Sequence, residues 1–377
     1  MATGQEGLHL PVGGTNEQIL LDLDNEKCEA LFLGVKHSPC SSRILTVYNS
    51  TAVVMGTGAA ANATANYVNE PGRIYDFCWY PLCAQAGEAS SYFLTSGNGY
   101  PVHLWSARGE NVATLTSSFS IYDPNEQLQS AMSLTFNAHG SSVYAGSFGK
   151  VSTFDVSRPG RPLTERYTSG NDRSGGIVSA IEFNPDFSGI YAVGSYTGTV
   201  SLYEERTGDL LKEVEATEGN RSIHKNGVSH LQWTRDGRYL LSGGRKDSAV
   251  RVFDIRGSGS MLFELSRPSS TNQRLYFDID TAAKHVYAGA TDGYVYVYSL
   301  DTGELVCVWT RDGKKLSAPD MLPSNTMPPV NGVSLGKDSA SMAITTGCRR
   351  FAGYDSSDED NLPDNGGGWN QLLVHRL

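Results

Sequence analysis

Positive charge is in short supply in this 377-residue chain: 30 Lys and Arg stand against 40 Asp and Glu, a formal charge of −10. The whole-molecule field therefore does not draw in a polyanion, which would need a local cationic patch. Cysteine is scarce as well, six in all (28, 40, 78, 83, 307 and 348) with no CxxC pair. Those in "DFCWY" and "LVCVW" sit inside apolar strand-like runs, the setting of buried free thiols in a reducing compartment. No run of 18 or more apolar residues occurs, which excludes a membrane-spanning helix. The opening "MATGQEGLHL" has neither the basic nor the apolar region of a secretory signal, so the three sequons at Asn49, Asn62 and Asn220 carry little weight.

Catalytic signatures are missing too. There is no GxSxG, HExxH or GxxxxGK[ST]; "GSFGKVS" lacks the spacing that wraps phosphates, and no Rossmann unit follows the Gly-rich "MGTGAA" (55–60), which reads as a loop. Eight histidines include no i, i+4 pair, so no metal site is expected. Asp278 and Asp280 stand two apart on one strand, hence on one side of it. In a strand such carboxylates bond backbone or neighbouring hydroxyls more often than they perform acid–base work. The expectation is a protein without catalytic group, cofactor or metal.

What is present is glycine, 41 residues, beside 39% hydrophobic and only 19% charged residues. That pairing favours many short strands joined by tight turns over long salt-bridged helices. The strands repeat. "SYFLTSG", "VYAGS", "IYAVGS", "YLLSGG" and "HVYAGA" are each followed by a second strand, "VHLWS", "VSTFD", "VSLYE", "VRVFD" and "VYVYS". The aromatics of these second strands, Trp105, Phe154, Tyr203, Phe253 and Tyr298, are spaced by 49, 49, 50 and 45 residues. A strand with a late aromatic precedes each pair ("SLTFN", "HLQWTRDG", "LYFDID"), and a turn with a fourth strand follows ("DTGELVCVWT"). Four antiparallel strands per repeat of roughly 48 residues is the WD-repeat pattern. The fold expected is all-β, a seven-bladed WD-repeat β-propeller forming one domain.

The expected blade limits are 14–70, 71–120, 121–170, 171–218, 219–268, 269–312 and 329–377. The last blade lacks a fourth strand at the C-terminus, and "GLHLPV" near the N-terminus (6–12) is expected to supply it and close the ring. "YDSSDEDNLPDNGGG" (354–368) is too acidic and too poor in apolar groups to order itself by burial. It is expected to be a flexible insertion.

In a propeller, the segments that lead into the innermost strands share one face of the disc, here the upper face, with the loops between second and third strands. Arg73, Arg173, His224, Lys225, Gln273 and Arg274 belong to the first group. Tyr100, Phe148, Tyr196, Arg245, Lys246 and Arg349 belong to the second. Cations interleaved with aromatics suit single-stranded RNA, since Arg neutralises phosphate and aromatic faces stack unpaired bases. The same residues are also ordinary solvated loop residues in many propellers. "SRPGRP" (157–162) puts Arg158 and Arg161 in a stiff loop expected on the opposite, lower face, where a protein contact is the better reading.

"RIYDFCWYP", "DPNEQLQSAMSLTFN", "VSRPGRP", "GSYTGTVSLY", "SGGRKD" and "TNQRLYFDID" together resemble the telomerase Cajal body protein family, from about residue 71 to 352. The resemblance implies a non-enzymatic WD-repeat scaffold that recognises CAB-box loops of H/ACA-type guide RNA and telomerase RNA. By the same resemblance its partners are H/ACA particle proteins and telomerase, with a chaperonin for folding, and its place is the nucleus, in Cajal bodies or an equivalent. A monomer with no membrane or DNA-duplex partner is implied. Arg274 in "TNQR", Arg245 and Lys246 in "RKD", Tyr196 in "GSY" and Arg349 in "GCRRF" stand at matching positions. Phe148-Gly149-Lys150 departs from a more cationic animal loop, and Lys314-Lys315 is too short for a nuclear import signal. A protein-interaction propeller without RNA contact is the alternative, because Arg and aromatics also dominate protein hot spots.

Overall fold

The computed structural model describes residues 17–22, 32–57, 65–82, 92–108, 113–168, 176–214, 223–257, 259–317, 327–337, 339–347 and 370–377. No helix occurs among them. Seven antiparallel sheets surround one channel, and a two-stranded hairpin (Ile121–Tyr122 with Leu128–Gln129) leads into the third blade. The protein is a seven-bladed β-propeller.

The innermost strands are Phe32–His37, Ile74–Trp79, Ser133–Phe136, Val178–Phe183, Val228–Trp233, Phe277–Ile279 and Val330–Leu335. They are rich in β-branched and aromatic residues, as strands enclosed on both faces require. The outermost strands behave differently. Met261–Ser266 alternates exposed and covered side chains, because only its inner face meets a neighbouring blade. The core is accordingly a series of layers between adjacent blades. One layer joins Leu241, Val250 and Val252 of blade five to Phe277, Val286 and Tyr296 of blade six.

Ring closure differs from the sequence expectation. The strand completing blade seven is Glu17–Asp22, which pairs antiparallel with Gln371–Arg376 (Glu17 opposite His375, Asp22 opposite Gln371). Residues 6–12 lie outside the described residues. "EQILLD" therefore belongs to the last blade, and blade one begins at Phe32 and uses Thr51–Gly56 as its third strand. Both segments are short and apolar, so composition alone does not tell a first strand of blade one from a closing strand of blade seven. Blade six also runs past its expected limit, with a fifth strand at Lys315–Leu316. Cys40, Cys78 and Cys307 are free thiols, and the insertion at 354–368 lies outside the described residues.

Candidate nucleic-acid interface and the plugged channel

The upper face gathers a compact group from adjacent loops of blades four and five. The Arg245 guanidinium lies 4.6 Å from the centre of the Tyr196 ring, a cation–π distance. The loops are held together by backbone bonds: Arg245 N–H donates to Gly227 O at 3.0 Å, and Lys246 N–H donates to Thr271 O at 2.9 Å. Gly227 permits this approach. Its φ is +96°, and a Cβ there would stand 2.7 Å from the Tyr196 Cα. Lys246 turns outward through a φ of +46° and is exposed, as is Lys225. Arg73 and Phe148 are exposed on the same face, Phe148 by 53%.

Arg274 does not join that surface. Its guanidinium turns down into the channel, donating to Asp76 Oδ1 at 2.8 Å, to the Tyr276 hydroxyl at 3.2 Å and to Ser179 O at 3.0 Å. Asp76 belongs to the inner strand of blade two and Ser179 to that of blade four, so one side chain from blade six ties three blades across the axis. Burial opposes its charge, yet Tyr276, Asp76 and Tyr196 hold its pKa above the ordinary arginine range. The expectation of a side chain reaching over the face is thus corrected: alternation places Arg274, Tyr276 and Asp278 on the channel side together.

Three more expected contacts are structural. His224 is fully buried, its Nδ1 2.7 Å from Asp247 Oδ2 and its Nε2 2.9 Å from Ser242 Oγ. Burial lowers the His224 pKa against the pull of Asp247, while the Asp247 carboxyl, despite its own burial, is held down at about 2 by His224 and Arg251. Tyr100 is 4% exposed and stacks on His103 beside a second such network, in which His103 and Trp105 engage Glu70 at 2.8 and 2.9 Å. Gln273 is buried and donates through Nε2 to Gly347 O at 3.3 Å. Networks of this kind pin the blades at their upper ends, and burial withdraws these side chains from the surface that a ligand would meet. Arg173 and Arg349 lie outside the described residues.

The loop of Arg158 and Arg161 is also placed differently. Gly160 exchanges backbone bonds with Ser118 and Ser120 at the end of the outermost strand of blade two. Arg161 donates to Glu126 at 2.6 Å and covers the Tyr122 ring at 4.8 Å. Both belong to the segment that leads into blade three, so the loop lies on the circumference between blades two and three. Arg158 is exposed.

Below Arg274 the channel is closed a second time. The Tyr276 ring crosses toward blade one, where a Cβ on Gly34 would stand 2.5 Å from it, and the His230 ring packs on it at 4.9 Å. The remaining space opens on the lower face as two cavities of about 360 and 330 Å³. Asp278 in the first cavity accepts backbone N–H groups from Ile279 and Leu335, both at 2.7 Å, and the Gln232 amide. Its environment is that of a backbone-bonding carboxylate. Among the described residues, no group of three or more His, Cys, Asp or Glu could hold a metal ion.

A family model described as "Lactonase, 7-bladed beta-propeller" matches residues 92–314. Telomerase Cajal body protein 1 of Mus musculus is 36% identical over 296 residues, 78% of this chain and 52% of its own length. The Homo sapiens protein is 35% identical over 284 residues, 75% of this chain and 48% of its own length. The Drosophila melanogaster homolog is 28% identical over 303 residues, 80% and 51% respectively. The chain spans about half the length of these curated relatives.

Proposed function

The chain belongs to the lactonase-type seven-bladed β-propeller family and to the telomerase Cajal body protein family, and from that premise we propose that it is a non-enzymatic RNA-binding scaffold. Its ligands on this reading are CAB-box-type loops of H/ACA guide RNA and telomerase RNA. Its work is to aid assembly of the H/ACA and telomerase particle and its localisation in the nucleus, in Cajal bodies or an equivalent. The relatives' names, which join telomerase to the Cajal body, support the particle and the location.

One observation carries the RNA reading: the Arg245 guanidinium stacked on Tyr196, with Lys246 and Lys225 exposed beside it. This is the pairing of base-stacking platform and phosphate-neutralising cation that single-stranded RNA uses. A patch of this size suffices on a protein of net charge −10 because recognition there is local. Phe148 and Arg73 extend the site along the same face.

Burial of Tyr100, His224 and Gln273 thins the patch and is the observation that favours the second reading, a protein-binding propeller without RNA contact. Titration of a CAB-box RNA against the purified protein at several salt concentrations separates the two. An RNA site weakens with a log–log slope near −0.7 per phosphate contact, and Lys246→Ala lowers that slope by about one contact. Absence of RNA binding at low salt would sink the RNA reading.

A further inference from the structure

The lower mouth of the channel contains two opposite charges that lie in each other's field without a close partner. Lys36, from the inner strand of blade one, and Glu182, from that of blade four, line both cavities. The Lys36 ammonium rests over the rings of Phe77 and Tyr276, at 5.3 and 5.9 Å from their centres. Neither Lys36 nor Glu182 makes a side-chain hydrogen bond or ion pair with any described residue, the other included. In the same walls the buried Nδ1 of His230 and Oε1 of Gln232 lack partners. The neighbouring carboxylates are already committed, Asp278 to two backbone N–H groups and Gln232, and Asp280 to Lys284 N–H and His285. Among the described residues, Arg274 and Tyr276 stand above this space, which opens on the lower face.

We propose that this mouth is a binding site for a small zwitterion of amino-acid type, with its carboxylate on the Lys36 ammonium and its ammonium on the Glu182 carboxylate. Two opposite charges held apart in one cavity select a ligand that carries both. A lone anion answers Lys36 and leaves Glu182 unpaired, and a lone cation does the reverse. Each of the two cavities, about 360 and 330 Å³, admits a compound of this size, since one water occupies about 30 Å³ of liquid. His230 and Gln232 remain to take a further polar group of the ligand. The site faces away from the upper-face RNA patch and stands whether or not that patch binds RNA.

The test is calorimetric titration of the purified full chain with glycine, 4-aminobutyrate and 6-aminohexanoate, which separate the two charges by increasing lengths. Acetate and ethylammonium, with one charge each, serve as controls. One zwitterion should bind at least about tenfold more tightly than either control, in line with paired charge-assisted bonds. Lys36→Met and Glu182→Gln should each weaken it by about tenfold. Glu182→Gln keeps the side-chain volume and removes a half-buried charge, so it remains a usable variant if Lys36→Met does not fold. No zwitterion binding at millimolar concentration, binding no tighter than the controls, or binding indifferent to Glu182→Gln would overturn the proposal.

Discussion

Arg274 and Asp76 meet at 2.8 Å in the channel with only 14% and 7% of their side chains exposed, although 198 residues separate them in sequence. The pair closes the ring internally: blade six is fastened to blade two, and through Ser179 O to blade four. Removing one partner of a buried pair strands the other charge and typically costs about 3–5 kcal/mol. Arg274→Ala is therefore expected to lower stability by that order, read as a fall in the denaturant midpoint. Asp76→Asn with Arg274→Met should recover part of the loss, because both charges then go together. If Arg274→Ala leaves the midpoint unchanged while abolishing RNA binding, the side chain serves the surface and not the channel.

The Glu17–Asp22 strand gives a prediction of a different kind. It covers the free edge of Gln371–Arg376, and an uncovered edge is both less stable and prone to pair with another chain. Deleting residues 1–22 is expected to lower the melting temperature and promote association, seen by light scattering. Deleting residues 1–14 should do neither. Equal effects from the two deletions would place the closing strand upstream of Glu17.

The propeller was legible because its signal is repeated. Trp105, Phe154, Tyr203, Phe253 and Tyr298 recur at near-constant spacing, and each marks the same position in a blade. The site was legible only in part, because a position at the head of an inner strand leaves the side chain two directions. Lys225 and Lys246 point to solvent, whereas His224 and Arg274 point inward. The period of two in "RLYFDID" held the needed signal, since Arg274 shares its side with Tyr276 and Asp278. Lys36 and Glu182 were passed over for a related reason. Each is a lone carboxylate or ammonium in a largely apolar inner strand, and only closure of the ring brings the two strands together at the lower mouth. Ring closure at 17–22 was misjudged because "EQILLD" fits a first strand and a closing strand equally.

The Arg245–Tyr196 contact predicts separable effects at the RNA patch. Tyr196→Ala removes a stacking face worth about 1–3 kcal/mol per base, a loss of about tenfold or more in affinity at any salt. Lys246→Ala removes a phosphate partner, so its effect is expected to shrink as salt rises. Because Lys246 is exposed, its substitution should leave the melting temperature within about one degree. A Tyr196→Ala effect that vanishes at high salt would show that the ring positions Arg245 and does not stack on a base.

Glu182 gives the pH prediction. Burial raises its pKa; Lys36 opposes the shift, while Asp76 and Asp278 add to it, and the carboxyl is pushed up to about 7 from an ordinary 4.5. Between those two values the folded protein retains a proton that the unfolded chain has released. Stability therefore falls as pH rises from about 4.5 to about 7 and is level beyond, a total loss on the order of 3 kcal/mol. Glu182→Gln cannot ionise and should escape that loss. Its melting temperature is expected to match the parent near pH 4.5 and to exceed it by several degrees at pH 8. Equal melting temperatures at pH 8 would mean that the ionised carboxylate is already well solvated. The same charge that costs stability is the one a bound ammonium would stabilise. Saturation with a zwitterion that binds should accordingly raise the parent's melting temperature at pH 8 and leave that of Glu182→Gln nearly unmoved.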